Sequence, residues 1–330
     1  MSYLMRGLAA NGGIRIVAAD TTALVSEAVQ RHEARPTAGA ALGRTLTGAL
    51  LLSHVLLKDP RDRVTLRLQG DGPLGGVIAE AGLDGTVRGY AERPSADLPL
   101  RQDGKLDVGG AVGPEGTIEV IRSHAPYGDP YQSAVELVSG EVAEDISGFL
   151  ARSEQIASAV LLGVYYQNGV VSRSGGVLLQ ALPDAEEGVL ARLEANVRAF
   201  GPLTEGLRRA SLIEAMHELT AGFDLRIMND EALPVGFACR CSDDKARQVL
   251  AYFTPEERRR MIEEDGGAEA VCHWCGQRRW IGAEAIRSLG DGKDEVRCPD
   301  CGTLWYRDAG TVMVRDGERC ACGRPVALPN

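Results

Sequence analysis

With 330 residues, 44% of them hydrophobic and 25% charged, the chain is long enough for two or three domains and has the composition of a soluble globular protein. A formal net charge of −10 argues against nucleic acid as the main partner, because phosphate binding needs a basic surface. Met1 to Asp20 lacks the basic start and sustained apolar run of a secretory signal, and the most membrane-like stretch, Ala38 to Leu57, is interrupted by Arg44 and His54. A buried helix in a cytoplasmic protein is expected there, with no membrane partner.

In chain order, the sequence predicts helices over Thr21 to Arg31 and Ala40 to Leu57. Strand-like alternation follows in Val64 to Gln69, Thr86 to Tyr90 and Thr117 to Ile121, punctuated by glycines that suit turns. Helix signals return over Glu141 to Ser153. Two strands, Ile156 to Gln167 and Val170 to Leu182, then flank Asn168-Gly169, a dipeptide suited to a two-residue hairpin turn. Asp184 and Glu187 resemble a capping box for a helix ending near Phe200, and a second helical pattern covers Thr204 to Thr220. A sheet with helices packed on it, without regular βαβ alternation, makes the fold class α+β. Residues 1–182 are read as the sheet-and-helix domain and 183–235 as a helical connecting arm.

All eight cysteines lie after residue 238, in four close pairs: Cys239/Cys241, Cys272/Cys275, Cys298/Cys301 and Cys320/Cys322. Two thiols one or two residues apart can grip one tetrahedral ion, and two such pairs complete the four-sulfur shell that zinc prefers. The same thiols are close enough to oxidise within each pair. Without a secretory signal a reducing compartment is expected, which favours metal binding over structural disulfides. Sequential pairing gives one site from Cys239, Cys241, Cys272 and Cys275 and room for a second from Cys298, Cys301, Cys320 and Cys322. A rival pairing of Cys272/Cys275 with Cys298/Cys301 has ordinary zinc-ribbon spacing. The region thus reads as a zinc module over 236–290 and a further cysteine-rich extension over 291–330.

The segment between the first two pairs, 242–271, is unusually legible. Ser242 can cap a helix whose first turn carries Asp243 and Asp244, and Thr254-Pro255-Glu256-Glu257 gives an N-cap, a first-turn proline and a capping glutamate. Yet 13 of its 30 residues are charged, and its large apolar residues are few: Val249, Leu250, Tyr252, Phe253, Met261 and Ile262. So thin a core cannot readily offset the entropy of ordering the segment, which should depend on its surroundings. A zinc site here can be a permanent clip or a reversible switch; a strained Cys239–Cys241 disulfide would suit the switch, because strain makes such bonds easier to reduce.

Other chemistry is thinly represented. His273 lies between Cys272 and Cys275 but is read as a flanking residue, since four thiols are available. His217-Glu218 lacks the second histidine of a metalloprotease helix, and neither a P-loop nor a G-x-S-x-G elbow occurs. Arg258, Arg259 and Arg260 are read as a solvated helix face. From Gly236 onward, 15 Lys and Arg stand against 16 Asp and Glu, less basic than a DNA-gripping ribbon would be. No catalytic constellation is found in the first 238 residues, and the chain is not read as an enzyme.

The C-x-C and C-x-x-C pairs behind a cysteine-free α+β region resemble the bacterial redox-regulated 33 kDa heat-shock chaperones. Leu42-Gly-Arg44, Gln69 to Gly75, Val87 to Tyr90, Gly104 to Val108, Leu137 to Asp145 and Ser153-Glu-Gln155 look like segments of the same family. The resemblance covers roughly residues 1–290. It implies an ATP-independent holdase, inactive while Cys239, Cys241, Cys272 and Cys275 bind Zn2+. It further implies that oxidation forms Cys239–Cys241 and Cys272–Cys275 disulfides, releases zinc and unfolds the linker 242–271. Unfolding client proteins are the implied partners, and the active form is associated with homodimers. The last two cysteine pairs are outside the usual family pattern. Two other readings are a thiol–disulfide oxidoreductase using a C-x-x-C pair and a zinc-ribbon adaptor.

Overall fold

The computed structural model describes residues 1–124, 129–183, 185–186, 188–228 and 232–289, together with the backbone of three short strands after residue 292. The chain divides into two compact units, Met1–Cys239 and Arg240–Asn330.

The first unit opens with β1 (Ser2–Ala9) and β2 (Ile14–Asp20), an antiparallel pair. Next come α1 (Thr22–Arg31) and α2 (Pro36–Leu56), with Pro36 in the first helical turn, where its missing N–H costs nothing. Sixteen of the 21 residues of α2 are buried, so it is apolar on every side, as a helix enclosed by other layers must be. Strands β3 (Arg63–Gly70), β4 (Gly76–Gly82) and β5 (Thr86–Ala91) form a meander that packs on α2, followed by the short α3 (Val108–Val112). Gly70 and Gly72 lie against the end of α3; an added Cβ would stand 2.1 Å from the Val112 carbonyl oxygen and 2.4 Å from that of Ala111, distances only glycine avoids.

The chain continues through β6 (Gly116–Ser123), β7 (Tyr131–Glu136), α4 (Ala143–Arg152), β8 (Ser158–Gln167) and β9 (Val170–Ala181). Asp145 of α4 is fully buried and accepts from the backbone N–H groups of Val138, Ser139, Gly140 and Val142 at 2.7–3.2 Å, which explains how that turn tolerates a buried carboxylate. The β8–β9 turn has Asn168 and Gly169 at φ 52° and 78°, the left-handed pair a tight hairpin requires.

The stretch expected to be an arm folds as α5 (Val189–Phe200), α6 (Leu203–Arg209), α7 (Leu212–Leu219), β10 (Arg226–Ile227) and β11 (Leu233–Phe237). It forms part of the first unit. Leu193, Phe200, Leu207, Leu212, Met216 and Leu219 pack with Ile14, Ile16, Ala18, Val177 and Leu179. The alternate residues Val17, Ala19 and Leu178 belong to the core around α1 and α2, so β2 and β9 are covered on both faces. The expected single helix over Thr204 to Thr220 is two helices. Ser211 is extended and forms a capping box with Glu214, which starts a new helix rather than continuing the old one. Asp184 and Glu187, expected to cap α5, lie outside the described residues.

One sheet runs β7-β6-β3-β4-β5-β11-β1-β2-β9-β8, with β10 also on β1. Its ladders are antiparallel except for the two-residue parallel contact of β11 with β5. The fold class is α+β.

In the second unit, α8 (Asp243–Leu250) and α9 (Pro255–Asp265) are followed by the hairpin β12 (Gly267–Val271) and β13 (Arg278–Gly282) and then α10 (Ala283–Arg287). Among the described residues, the buried apolar side chains of its core are Leu250, Ile281 and Ile286, with Met261, Ile262, Leu289 and four alanines partly buried against them. Farther on, Lys293–Arg297 pairs antiparallel with Leu304–Asp308, which pairs with Thr311–Val312. Among the described residues no helix is long and apolar enough to cross a membrane.

Candidate metal centre

Each thiol pair is delivered by a different local device. Cys239 follows β11, where Ala238 N donates to the Val87 carbonyl at 2.9 Å and holds the backbone to β5. Cys241 immediately precedes Ser242, whose Oγ accepts from Lys245 N at 3.2 Å and caps α8. Asp243 and Asp244 lie in that helix's first turn, where the dipole favours negative charge. Thr254 and Glu257 form the reciprocal capping box of α9, and Gly266 ends that helix at φ 72°.

Cys272 and Cys275 occupy the tip of the β12–β13 hairpin. Cys272 N donates to Gln277 O at 3.0 Å, and the N–H groups of Cys275 and Gly276 both turn back to Cys272 O, at 3.3 and 2.8 Å. Gly276 closes this knuckle at φ 68°, a conformation costly for any residue with a Cβ. The result is two thiols one turn apart on a rigid support.

The ligand atoms of Cys239, Cys241, Cys272 and Cys275 all lie within 4.8 Å of one another, with Cys241 Sγ 3.6 Å from Cys275 Sγ. Four sulfurs about 2.3 Å from a zinc ion stand roughly 3.8 Å apart, so this spacing fits a tetrahedral thiolate site. None of the four is in a disulfide. Cys275 is buried and the other three are half-buried. Four close cysteines could therefore bind a metal ion, consistent with zinc, and among the described residues they form the one cluster of His, Cys, Asp or Glu suited to it. Cys298, Cys301, Cys320 and Cys322 lie outside the described residues.

Two arginines that sequence reasoning did not single out touch the C-x-C pair. Arg88, on β5, hydrogen-bonds Glu80 and Cys239; burial works to lower its pKa, but these anionic partners outweigh it and the net direction is upward. Arg279, on β13, donates to Cys241 Sγ at 3.4 Å, to Asp243 at 2.7 Å and to Gln277 Oε1 at 3.0 Å. Its pKa is also raised, first by Asp243 and then, against a small burial effect, by Cys241. Four thiolates around a divalent ion carry excess negative charge, which such donors offset. An arginine in a long-range contact carries no sequence signal, so neither was visible beforehand.

Other residues named from the sequence fall differently. Arg259 and Arg260 are exposed, as a solvated face predicts, but Arg258 is buried and donates to the Leu289 carbonyl at 2.8 Å. It points inward because it follows Thr254 by one helical turn and precedes Ile262 by another, on the face that packs. Of the six apolar residues named in the linker, only Leu250 is buried, whereas Val249 and Tyr252 are 54% and 71% exposed.

A family model described as Hsp33 protein matches residues 2–281. A protein named 33 kDa chaperonin from Thermus thermophilus is 52% identical over 340 aligned residues, covering 100% of this chain and 98% of its own. That alignment includes the last two cysteine pairs. The Deinococcus radiodurans 33 kDa chaperonin is 47% identical but covers 88% of this chain and 98% of its own. The crystal structure of the Thermotoga maritima 33 kDa chaperonin, a heat shock protein 33 homolog, matches with a TM-score of 0.80 at 30% identity, over 87% of this chain and 97% of that one. On the strength of the matched sequence, the shared fold and the four-thiol cluster, this chain belongs to the Hsp33 family of chaperones.

Proposed function

We propose that the chain is an ATP-independent holdase whose binding of unfolding proteins is switched on by oxidation of Cys239, Cys241, Cys272 and Cys275. The observation that carries this reading is the coincidence of that thiol cluster with a module whose buried apolar core, among the described residues, is Leu250, Ile281 and Ile286. Zn2+, when bound, supplies a cross-link between the two ends of 242–271 and contributes on the order of 10–16 kcal/mol of apparent folding free energy. While reduced, the four thiolates hold that link and the linker stays folded and inactive.

With hydrogen peroxide as oxidant, one thiolate attacks the O–O bond, giving a sulfenic acid and hydroxide. Its neighbour then attacks that sulfur, closing the S–S bond and expelling a second hydroxide; two protons convert both to water. Each pair thus gives up two electrons and forms Cys239–Cys241 or Cys272–Cys275. Disulfide sulfurs are no longer thiolate donors, so the pairs release the metal and the thinly cored linker unfolds. Apolar surface becomes available to clients in the cytoplasm, and active chains associate as homodimers. Cys298, Cys301, Cys320 and Cys322 hold a second, structural zinc.

Cys272 and Cys275 sit at a hairpin tip rather than at the helix N-terminus that lowers a thiol pKa in thioredoxin-like enzymes, which weighs against an oxidoreductase. The test is light scattering from a heat-denaturing client without ATP, with released zinc followed by a metallochromic dye. Peroxide with mild heat should release one of two zinc ions per chain and suppress aggregation. Equal suppression by the reduced protein, or activation without metal release, would refute the switch.

A further inference from the structure

Arg279 joins a sulfur of the C-x-C pair to the first helix of the linker. Its Nη1 lies 3.4 Å from Cys241 Sγ, while Nε donates to Asp243 Oδ1 at 2.7 Å and Nη2 to Gln277 Oε1 at 3.0 Å. Asp243 opens α8, and Gln277 is the residue whose carbonyl accepts from Cys272 N at the knuckle. One planar guanidinium therefore touches the C-x-C pair, the C-x-x-C turn and the helix between them. Its side chain is 15% exposed, so it is fixed rather than wandering in solvent, even though Asp243 is 85% exposed.

The neighbouring Arg278 provides a natural contrast. It is 71% exposed and pairs with Glu269 across the hairpin at 3.0 Å. The two residues are adjacent in sequence, but strand alternation sends them to opposite faces.

We propose that Arg279 is a positioning residue that holds Cys241 in the metal site and restrains its reaction with oxidant, setting the threshold of the switch. This rests on the reading that the four-thiol cluster is an oxidation-sensitive zinc site. A thiolate that accepts a charge-assisted hydrogen bond has less electron density to offer peroxide, and partners of this kind orient and retain metal ligands. Lysine cannot replace the arrangement, because a single ammonium lacks the planar fork that reaches three acceptors.

The experiment compares wild type, Arg279→Met, Arg278→Met and Asp243→Asn as full-length reduced protein. Zinc retention is measured by competition with a chelator and peroxide-driven release by dye. The cobalt-substituted protein reports the sulfur-to-metal charge-transfer band, which a change in packing alone would not shift. Arg279→Met should retain zinc about 10-fold less well, release it faster under peroxide and move the band to lower energy. Asp243→Asn should shift all three in the same direction but less, and it carries the test should Arg279→Met fail to fold. Arg278→Met should match wild type. If Arg279→Met or, in its place, Asp243→Asn is indistinguishable from Arg278→Met, the assignment is overturned. Should wild type itself release no metal on oxidation, the switch reading fails instead, a distinct result.

Discussion

Removing the metal from the reduced protein tests the central dependency most directly, because no oxidant is involved. The core of the second unit fully buries Leu250, Ile281 and Ile286, at 5%, 6% and 1% exposure. Three such side chains contribute about 5–9 kcal/mol at most, at about 1.5–3 kcal/mol each. Zinc in a structural thiolate site contributes about 10–16 kcal/mol, more than these three side chains together, and Met261, Ile262, Leu289 and four alanines pack on them only partly buried. Chelation at neutral pH under reducing conditions should therefore unfold α8 and α9 together, while the first unit stays intact. Hydrogen exchange resolved by segment is the assay. Amides such as Ala246 and Arg258, bonded to Ser242 and Thr254 in the first turns of their helices, should exchange within about 10-fold of an unstructured chain. Amides of α2 and β9, in the large core, should stay protected. If α8 and α9 keep about 1000-fold protection without metal, equivalent to about 4 kcal/mol, the thin-core reasoning is wrong and the cysteines are fasteners on a self-sufficient module.

Two further outcomes follow from local chemistry. Thr254→Ala removes the hydroxyl half of the capping box of α9, in which Thr254 Oγ1 accepts from Glu257 N at 3.3 Å, and should cost the module about 1 kcal/mol; peroxide should then release metal at a lower temperature than in wild type. In the first unit, both ring nitrogens of His54 are buried without a hydrogen-bond partner among the described residues. Burial first, and then Arg6, pull its pKa from 6.5 down to about 4, with Asp84 opposing them. The unfolded chain thus takes up this proton near pH 6.5 and the folded chain only near pH 4. Stability is whole above pH 6.5 and falls as the pH drops toward 4, by about 3 kcal/mol through this group. His54→Leu should flatten that part of the urea-unfolding profile, and an unchanged slope would rule out His54 as its source.

What could be read in advance was whatever depends on neighbours in sequence. Ser242, Thr254, Pro255 and Glu257 announce α8 and α9 because caps are made within three residues, and Asn168-Gly169 announces its hairpin for the same reason. The cysteine spacings likewise carry their own geometry. By contrast β2 is buried on both faces, so its Ile-Arg-Ile-Val-Ala-Ala-Asp sequence lacks the alternation that marks a strand with one wet face. Strand β11 contains Pro234 and Gly236 and exists because β1 and β5, distant in sequence, flank it. The role of α5 to α7 as a second layer could not be seen for a related reason: their apolar stripes are legible, but which surface they cover depends on β2 and β9. Arg88 and Arg279 escaped notice because arginine is common and only the folded chain brings them to sulfur.

Strand β11 also bears on how freely the first thiol of the cluster can move. It is clasped by β1 and β5, and it ends two residues before Cys239. Ala238 N, bonded to the Val87 carbonyl at 2.9 Å, fixes the backbone one residue before that thiol, so Cys239 gives up less backbone freedom than a thiol on an unpaired segment would if the four sulfurs are drawn together.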